Sequence, residues 1–351
     1  YAANKLMKGF IGSANIDTNS RLCMASTVAG HTRAFGSDTV PGCYEDLEQA
    51  DLVVLAGSNL AACHPVLFQR LSEARERNGI KVIVIDPRRT ISCQIADLHL
   101  ALKPGSDVQL WNGLLAHLVN GNALDREFIA AHTQGFEQAL AAAQLQTDGL
   151  AACTGLSETD IATFFDLFTA TTKTVTVFSQ GVNQSAQGTD KVNAITNCHL
   201  ATGRIGRPGM GPFSVTGQPN AMGGREVGGL ANQLAAHMGF DQASRDRVAR
   251  FWRAPNLAPQ AGLKAVEMFQ AVADGKIKAI WIMATNPAVS LPDSDTVRRG
   301  LAACPLVVVS DCAASTDTLR YAHVALPATG WGEKAGMVTN SERVMSRQRQ
   351  F

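Results

Sequence analysis

Short apolar runs that stop at small or polar residues recur along this chain, alternating with stretches whose apolar positions fall three and four residues apart. The first clear run, DLVVLA from Asp51 to Ala56, closes on Gly57-Ser58-Asn59. A continuous apolar run of this kind reads as a strand buried on both faces. Residues 64 to 78 then carry Val66, Leu67, Leu71 and Ala74 at helical spacing, and a second run, Ile80 to Ile85, ends at Asp86. Together they predict a strand, helix, strand unit of the length that a right-handed parallel crossover needs. A third strand is expected at Ala96 to Leu102. Pro104-Gly105-Ser106-Asp107 follows it and opens a helix pattern through Val119, with Ser106 or Asp107 in the capping position.

The same grammar returns late in the chain. Lys278 to Ala284 leads to Thr285-Asn286-Pro287, a helix is expected over residues 292 to 303, Leu306 to Val309 ends at Ser310-Asp311, and a last strand runs from Ala322 to Leu326. Each stretch has an Asn just after its first strand and an Asp just after its second, 27 residues apart in one (59 to 86) and 25 in the other (286 to 311). The recurrence predicts a duplicated dinucleotide-binding half, because small residues after a parallel strand let backbone amides approach a phosphate at the next helix. Asn and Asp also cap loops in any doubly wound sheet, and spacing alone leaves both explanations open.

Between the two stretches, residues 157 to 171 and 189 to 203 read as helices around a strand at Thr174 to Phe178, which runs into Gln180-Gly181-Val182-Asn183-Gln184. From Gly203 to Gly229, glycines together with Pro208, Pro212 and Pro219 predict a long loop without regular structure. Such a loop inside a compact domain is usually functional. Residues 256 to 262, with Pro259 inside the tract and Pro255 just before it, read as a plain surface connection. The expected fold is α/β, with two doubly wound, Rossmann-like parallel-sheet domains. One is inserted and spans residues 21 to 208; the other is discontinuous, residues 1 to 20 plus 209 to 351. No G-x-G-x-x-G follows a strand, which argues against ordinary nicotinamide binding.

Composition narrows the picture from outside. A chain of 351 residues has room for about two domains and a sizeable core. Its 31 basic and 30 acidic residues leave a formal net charge of +1, so no nucleic-acid surface is indicated. No apolar run approaches the roughly 18 residues of a membrane span, so no membrane partner is expected. The eight cysteines, at 23, 43, 63, 93, 153, 198, 304 and 312, form no C-x-x-C pair. Most are expected as buried thiols, and an iron–sulfur or zinc site built within this stretch alone is not indicated.

Chemistry-bearing residues are few. Cys23 lies in NSRLCMAS beside Arg21, among small residues that suit a turn. There a thiol is either an incidental buried cysteine or a thiolate able to act as nucleophile or soft-metal ligand. Arg225 sits among glycines in Gly223-Gly224-Arg225-Glu226-Val227-Gly228-Gly229. Its guanidinium suits a planar oxyanion, or a salt bridge to Glu226 or another neighbour. Arg88 and Arg89, straight after Asp86-Pro87, are placed to neutralise a phosphate at a strand's carboxyl end. The eight histidines are scattered; His64, at a helix start, reads as a cap or contact residue, and no histidine metal centre or serine triad is supported.

Several long words, in order, then carry a resemblance: NSRLCMASTVAG, RAFGSDTVPGCYEDLE, ADLVVLAGSN, QGVNQSAQGTDK, GPFSVTGQPNAMGGREVGG and EKAGMVTNSER. They resemble the bis-molybdopterin-guanine-dinucleotide oxidoreductases with the DMSO reductase-like fold, and within them the assimilatory and periplasmic nitrate reductases, over nearly the whole chain. The family holds molybdenum between two pterin dinucleotides, which gives the duplicated halves a purpose. By that resemblance Cys23 supplies the protein thiolate to molybdenum, and Met24 and Arg225 line the path of the substrate. Asn19, Gly57, Ser58, Asn59, Asp86, Pro87, Arg88, Arg89, Gly105, Ser106 and Asp107 would contact the cofactor pair. Gln180, Gly181, Gln184, Asn286, Ser310, Asp311 and Lys334 would complete that shell. The implied reaction is oxygen-atom transfer that turns nitrate into nitrite, with electrons from a donor protein or module.

The family's N-terminal 4Fe-4S domain and C-terminal barrel are not represented in these residues. The chain is therefore expected to be a central fragment, inactive alone, that works with those missing domains. A cytoplasmic location is expected, with the periplasm left open. Rival readings are a formate dehydrogenase of the same superfamily, where histidine rather than Met24 would follow the ligand, and a non-catalytic scaffold subunit, which would lack Cys23 and Arg225.

Overall fold

The computed structural model describes residues 1–145 and 149–351, and they fall into two compact units, Cys23–Gln218 and Tyr1–Leu22 with Pro219–Phe351. In the first, β1 (Leu52–Ala56), β2 (Lys81–Ile85), β3 (Leu98–Leu100), β4 (Thr174–Phe178) and β5 (Gly211–Ser214) form one sheet in the order β3-β2-β1-β4-β5. Every neighbouring pair is parallel. Strand order turns back on itself between β1 and β4, which is the doubly wound arrangement. All five residues of β1 are buried. That explains why its sequence shows no polar alternation.

On one face of this sheet Leu52, Val54 and Ala56 join Trp111, Phe164, Phe168, Ile195 and Cys198 in the core. The Trp111 and Phe164 rings meet edge to face at 5.6 Å, a geometry that adds about 1 kcal/mol to what burial alone contributes. Three helices supply that layer: Asp107–Asn120, Glu158–Ala170 and Gly188–Ala201. The helix Pro65–Asn78 buries Leu67, Leu71 and Ala74. Val66 was expected in the same stripe but is 70% exposed, because it stands one residue, about 100° of rotation, off the line through those three.

Two further expectations are corrected. The tract from Gly203 to Gly229 is not wholly irregular, since it contains β5 and a short helix, Ala221–Glu226. Glycine and proline at Gly211 and Pro212 hid β5, which sits at the sheet edge where a missing N–H is tolerated. Cys23 is not in an open turn either. It ends the helical turn Ser20–Cys23, just before the helix Ala25–Phe35.

The second unit has β6 (Ala279–Met283), β7 (Leu306–Asp311) and β8 (Val324–Pro327) in one parallel sheet and an antiparallel pair, β9 (Gly336–Thr339) with β10 (Met345–Gln348). Helices Ala265–Ala273 and Ser294–Ala303 pack Phe269, Val272, Val297 and Leu301 against Ile282, Val307 and Val309. No helix among the described residues is long and apolar enough to cross a membrane.

A buried polar knot joins the helix Gly188–Ala201 to the larger sheet. His199 Nε2 and Thr176 Oγ1 share a hydrogen bond of 2.8 Å, and Arg204 donates to the carbonyls of Phe168 and Thr169 while its guanidinium lies 5.0 Å from the Phe168 ring centre. Burial, reinforced by the Arg204 charge, pushes His199 down from 6.5 to about 3; burial also lowers His64. A histidine that stays neutral when folded and protonates when unfolded makes unfolding take up a proton below pH 6.5, so stability declines as pH falls from there toward 3. Carboxylates held low, such as Asp97, withdraw their stabilisation only below their ordinary value of 3.8. Urea midpoints should therefore fall between pH 7 and 4.5, and His199→Gln should flatten that slope. An unchanged slope in the variant would rule out His199 as its source.

Candidate active site

The first unit's crevice is set by two glycines. Gly57 follows β1 with φ at +54°, and Gly181 follows β4. The Gly181 N–H donates to the Gly57 carbonyl at 3.0 Å. A Cβ on Gly57 would lie 2.8 Å from the Gly181 backbone, and one on Gly181 would lie 2.6 Å from the Gly57 Cα. The loops after β1 and β4 thus meet backbone to backbone at the point where strand order reverses. In open parallel sheets that point, outside the strands' carboxyl ends, is where ligands bind.

Most of the candidate residues in this unit collect along that edge. After β1, the Ser58 hydroxyl is buried without a hydrogen-bond partner among the described residues, and Asn59 Oδ1 accepts from Ser92 Oγ at 3.1 Å. After β2, the Asp86 carboxylate accepts from the Arg88 N–H at 2.8 Å. Pro87, Arg88 and Arg89 are exposed, and neither arginine has an ion-pair partner among the described residues. After β3, Gly105 is exposed with φ at +92°. Ser106 occupies the N-cap position, yet its hydroxyl donates back to the Lys103 carbonyl rather than capping the helix. Asp107 is 2.6 Å from Lys191 in a buried ion pair that sequence reading missed. Removing one partner of such a pair typically costs about 3–5 kcal/mol, so Asp107 has a structural duty whatever it contacts.

Cys23 joins this edge through two carboxamides. Gln180 Nε2 donates to its sulfur at 3.1 Å, and the thiol faces Gln218 Oε1 at 3.2 Å. The cysteine is 7% exposed and Met24 1%. Gln218 was missed although it lies inside the quoted word GPFSVTGQPNAMGGREVGG; its signal was a polar side chain in a small-residue turn directly after an apolar run. Asn183, also missed, accepts from the Thr27 N–H and hydroxyl at 2.9 and 2.5 Å and receives the Ser26 hydroxyl on its own carbonyl. It fixes the helix that begins two residues after Cys23. Gln184 is exposed beside it. Arg21, expected beside the thiol, is held instead by Asp17 at 2.8 Å and by Asn232 at 2.6 Å. Among the other thiols, burial pushes Cys198 up, and burial with Asp46 pushes Cys43 up to about 11. Neither is a thiolate. Cys63, Cys153 and Cys312 are exposed, against the expectation that most cysteines are buried.

In the second unit, Asn286 Oδ1 accepts from the Thr318 N–H and hydroxyl at 3.0 and 2.6 Å, Ser310 Oγ accepts from the Trp281 indole at 2.8 Å, and Asp311 Oδ1 accepts from the Ala313 N–H at 2.9 Å. All three lie at or just beyond the carboxyl ends of β6 and β7. Asn19 and Lys334 are exposed and make no hydrogen bond or ion pair with the other candidates among the described residues. Arg225 is fully buried on the helix Ala221–Glu226, with Nη2 2.9 Å from Met222 Sδ. Glu226 pairs with Arg343 at 3.5 Å.

A doubly wound sheet with small-residue loops, orphan hydroxyls and a buried cysteine at its switch point defines a ligand-binding α/β protein of the Rossmann-like class. The model of the molybdopterin oxidoreductase family matches residues 1–351, and the chain belongs to that family. It is 58% identical over 353 residues to a nitrate reductase of Klebsiella oxytoca and 56% identical over 354 residues to one of Shewanella frigidimarina. Each match takes in the whole chain but only 40% and 38% of the relative. The fold also matches acetylene hydratase from Pelobacter acetylenicus, with a TM-score of 0.74 at 22% identity, covering 97% of this chain and 49% of that one.

The glycine contact is directly testable. Gly181→Ala should destabilise the chain by about 2 kcal/mol or more through overpacking. Gly224→Ala, where nothing lies within 4 Å of the added carbon, should change stability by less than about 1 kcal/mol. Equal urea midpoints for the two variants would show that the approach of the loops is not tight.

Proposed function

We propose that this chain forms part of an assimilatory nitrate reductase, with Cys23 as the protein ligand to a molybdenum held by paired pterin guanine dinucleotides. The observation that carries the proposal is Cys23 itself: a buried sulfur gripped by Gln180 and Gln218 at the edge where β1 and β4 part. Identity above 55% to two nitrate reductases across the whole chain supports the choice of reaction. Because the chain spans about two fifths of those relatives, further domains and an electron donor are part of the proposal.

The residues present fit a dinucleotide with phosphates. The Ser58 hydroxyl and Thr90 Oγ1 are buried without partners among the described residues, and an unmet buried hydroxyl costs about 1–3 kcal/mol, which a ligand's oxygens would relieve. Arg88 and Arg89 offer uncompensated positive charge after β2. Gly57, Asn59, Asp86, Pro87, Gly105, Ser106, Asp107, Gly181 and Gln184 would shape this side. Asn19, Asn286, Ser310, Asp311 and Lys334 are the further residues that would contact the cofactor. When bound, the group supplies two electrons and the acceptor for the oxygen atom that nitrate gives up.

The chain's own residues supply the rest. Cys23 gives a soft sulfur donor, and the Gln180 N–H stabilises negative charge on it. Arg225 orients nitrate through charge and paired N–H donors, and a guanidinium removed from water holds an oxyanion more strongly than an exposed one. Met24, buried next in sequence to Cys23, would line the path of the substrate. In the full-length protein, Cys23→Ser should lose bound molybdenum and nitrate reduction together. Retained metal and turnover would sink the assignment. Arg225→Lys should raise KM for nitrate about tenfold or more, the loss of one charge-assisted hydrogen bond; unchanged kinetics would remove Arg225 from the site.

A further inference from the structure

One buried cation of the second unit has no part in the chemistry above. Lys8 lies in the π-helical stretch Lys5–Ile11 and is 0% exposed. Its ammonium donates to three backbone carbonyls, those of Gly228 at 2.5 Å, Leu230 at 2.9 Å and Gln233 at 2.8 Å. That is one acceptor for each N–H. Burial draws its pKa down to about 8, which leaves it charged, with all three donors, at neutral pH.

Two of these three residues also act on Arg225. The Gly228 N–H and Gln233 Nε2 both donate to the Arg225 carbonyl, at 2.9 and 2.6 Å. Each therefore holds Arg225 by a donor while Lys8 holds its carbonyl. Gly228 has no room to adjust, since its φ is +79° and a Cβ there would lie 2.7 Å from the backbone at Leu234 and Ala235. Asp17 adds a second tie by accepting the Ala231 N–H at 3.1 Å.

We propose that Lys8 is a positioning residue for Arg225: its buried ammonium locks the turn from Gly228 to Gln233, and that turn fixes where the end of the Ala221–Glu226 helix places the guanidinium. The inference rests on Arg225 as the nitrate-orienting residue. A lysine is suited to the task because its three rotatable donors on one compact ammonium can each take a carbonyl from a separate point of one turn.

The test uses the full-length enzyme with Lys8→Met, Gln233→Leu and the double variant. Each single change should raise KM for nitrate about tenfold and lower kcat by less, the signature of lost substrate orientation. The double variant should be no worse than about tenfold, because both residues act through one turn. Amide exchange at Gly228 and Gly229 should quicken in Lys8→Met. If the variants only lower Tm and leave KM unchanged, Lys8 is a stability pin and the inference fails. Gln233→Leu, which leaves Lys8 and its acceptors in place, decides the matter should Lys8→Met not fold. Arg225→Lys separates the two claims: if it raises KM while both single variants are silent, only the role of Lys8 is overturned. If it is silent too, the role of Arg225 falls first.

Discussion

The close approach of Gly57 to Gly181 is the constraint on which the first unit's site depends. Two parallel strands lie about 4.8 Å apart, and the chain leaving each must go somewhere. Here both loops turn inward far enough for one amide to bond the other's carbonyl. Any side chain at either position would pry them apart. With the backbones in contact, Ser58 and Asn59, just after Gly57, and Gln180, just before Gly181, are gathered at the carboxyl ends of β1 and β4. Gln180 reaches Cys23 from there.

The cysteine's placement then depends on polar anchors rather than on packing alone. Asn183 sits one turn beyond Gln180 and binds Thr27 twice and Ser26 once, all within the first turn after Met24. Each bond contributes about 1 kcal/mol net, but leaving the same groups unmet when buried costs more, so the helix start has one favourable position. Specificity of placement comes from that asymmetry. A purely apolar interface would tolerate slippage that a sulfur held between two carboxamides would not.

What could be read in the sequence follows the same division. Strands β1, β2 and β4 were legible as buried apolar runs, and β6 and β7 as apolar runs that close on Asn286 and Asp311 although β6 is largely exposed. Helices with a single apolar stripe were legible within about two residues. Strand β5 was not, since glycine and proline are poor strand formers in isolation and only the sheet edge makes them acceptable. Nor were the helical turns around Cys23, whose residues are small or polar and owe their conformation to Asn183 more than to their own preferences. Ion pairs such as Asp107 with Lys191 join residues 84 positions apart, and no local pattern announces them. Lys8 is the extreme case: an unremarkable lysine on a short N-terminal helix whose meaning lies in carbonyls more than 200 residues away.

The recurrence of Asn and Asp in the two halves can now be weighed against simple capping. If Asn59 and Asn286 only capped loops, their side chains would bond the first amides of the helices they precede, and neither does. Each instead reaches across to the 3-10 turn that follows the second strand, Asn59 to Ser92 and Asn286 to Thr318. The separations, 33 and 32 residues, differ by one. Asp86 and Asp311 do behave as loop residues, each accepting the amide two positions on. The aspartates alone would therefore prove nothing. The asparagines are harder to obtain by chance, because a contact from the first loop to the third element requires the same three-strand layout in both places. The two halves thus share a hydrogen-bond pattern at this corner as well as a spacing.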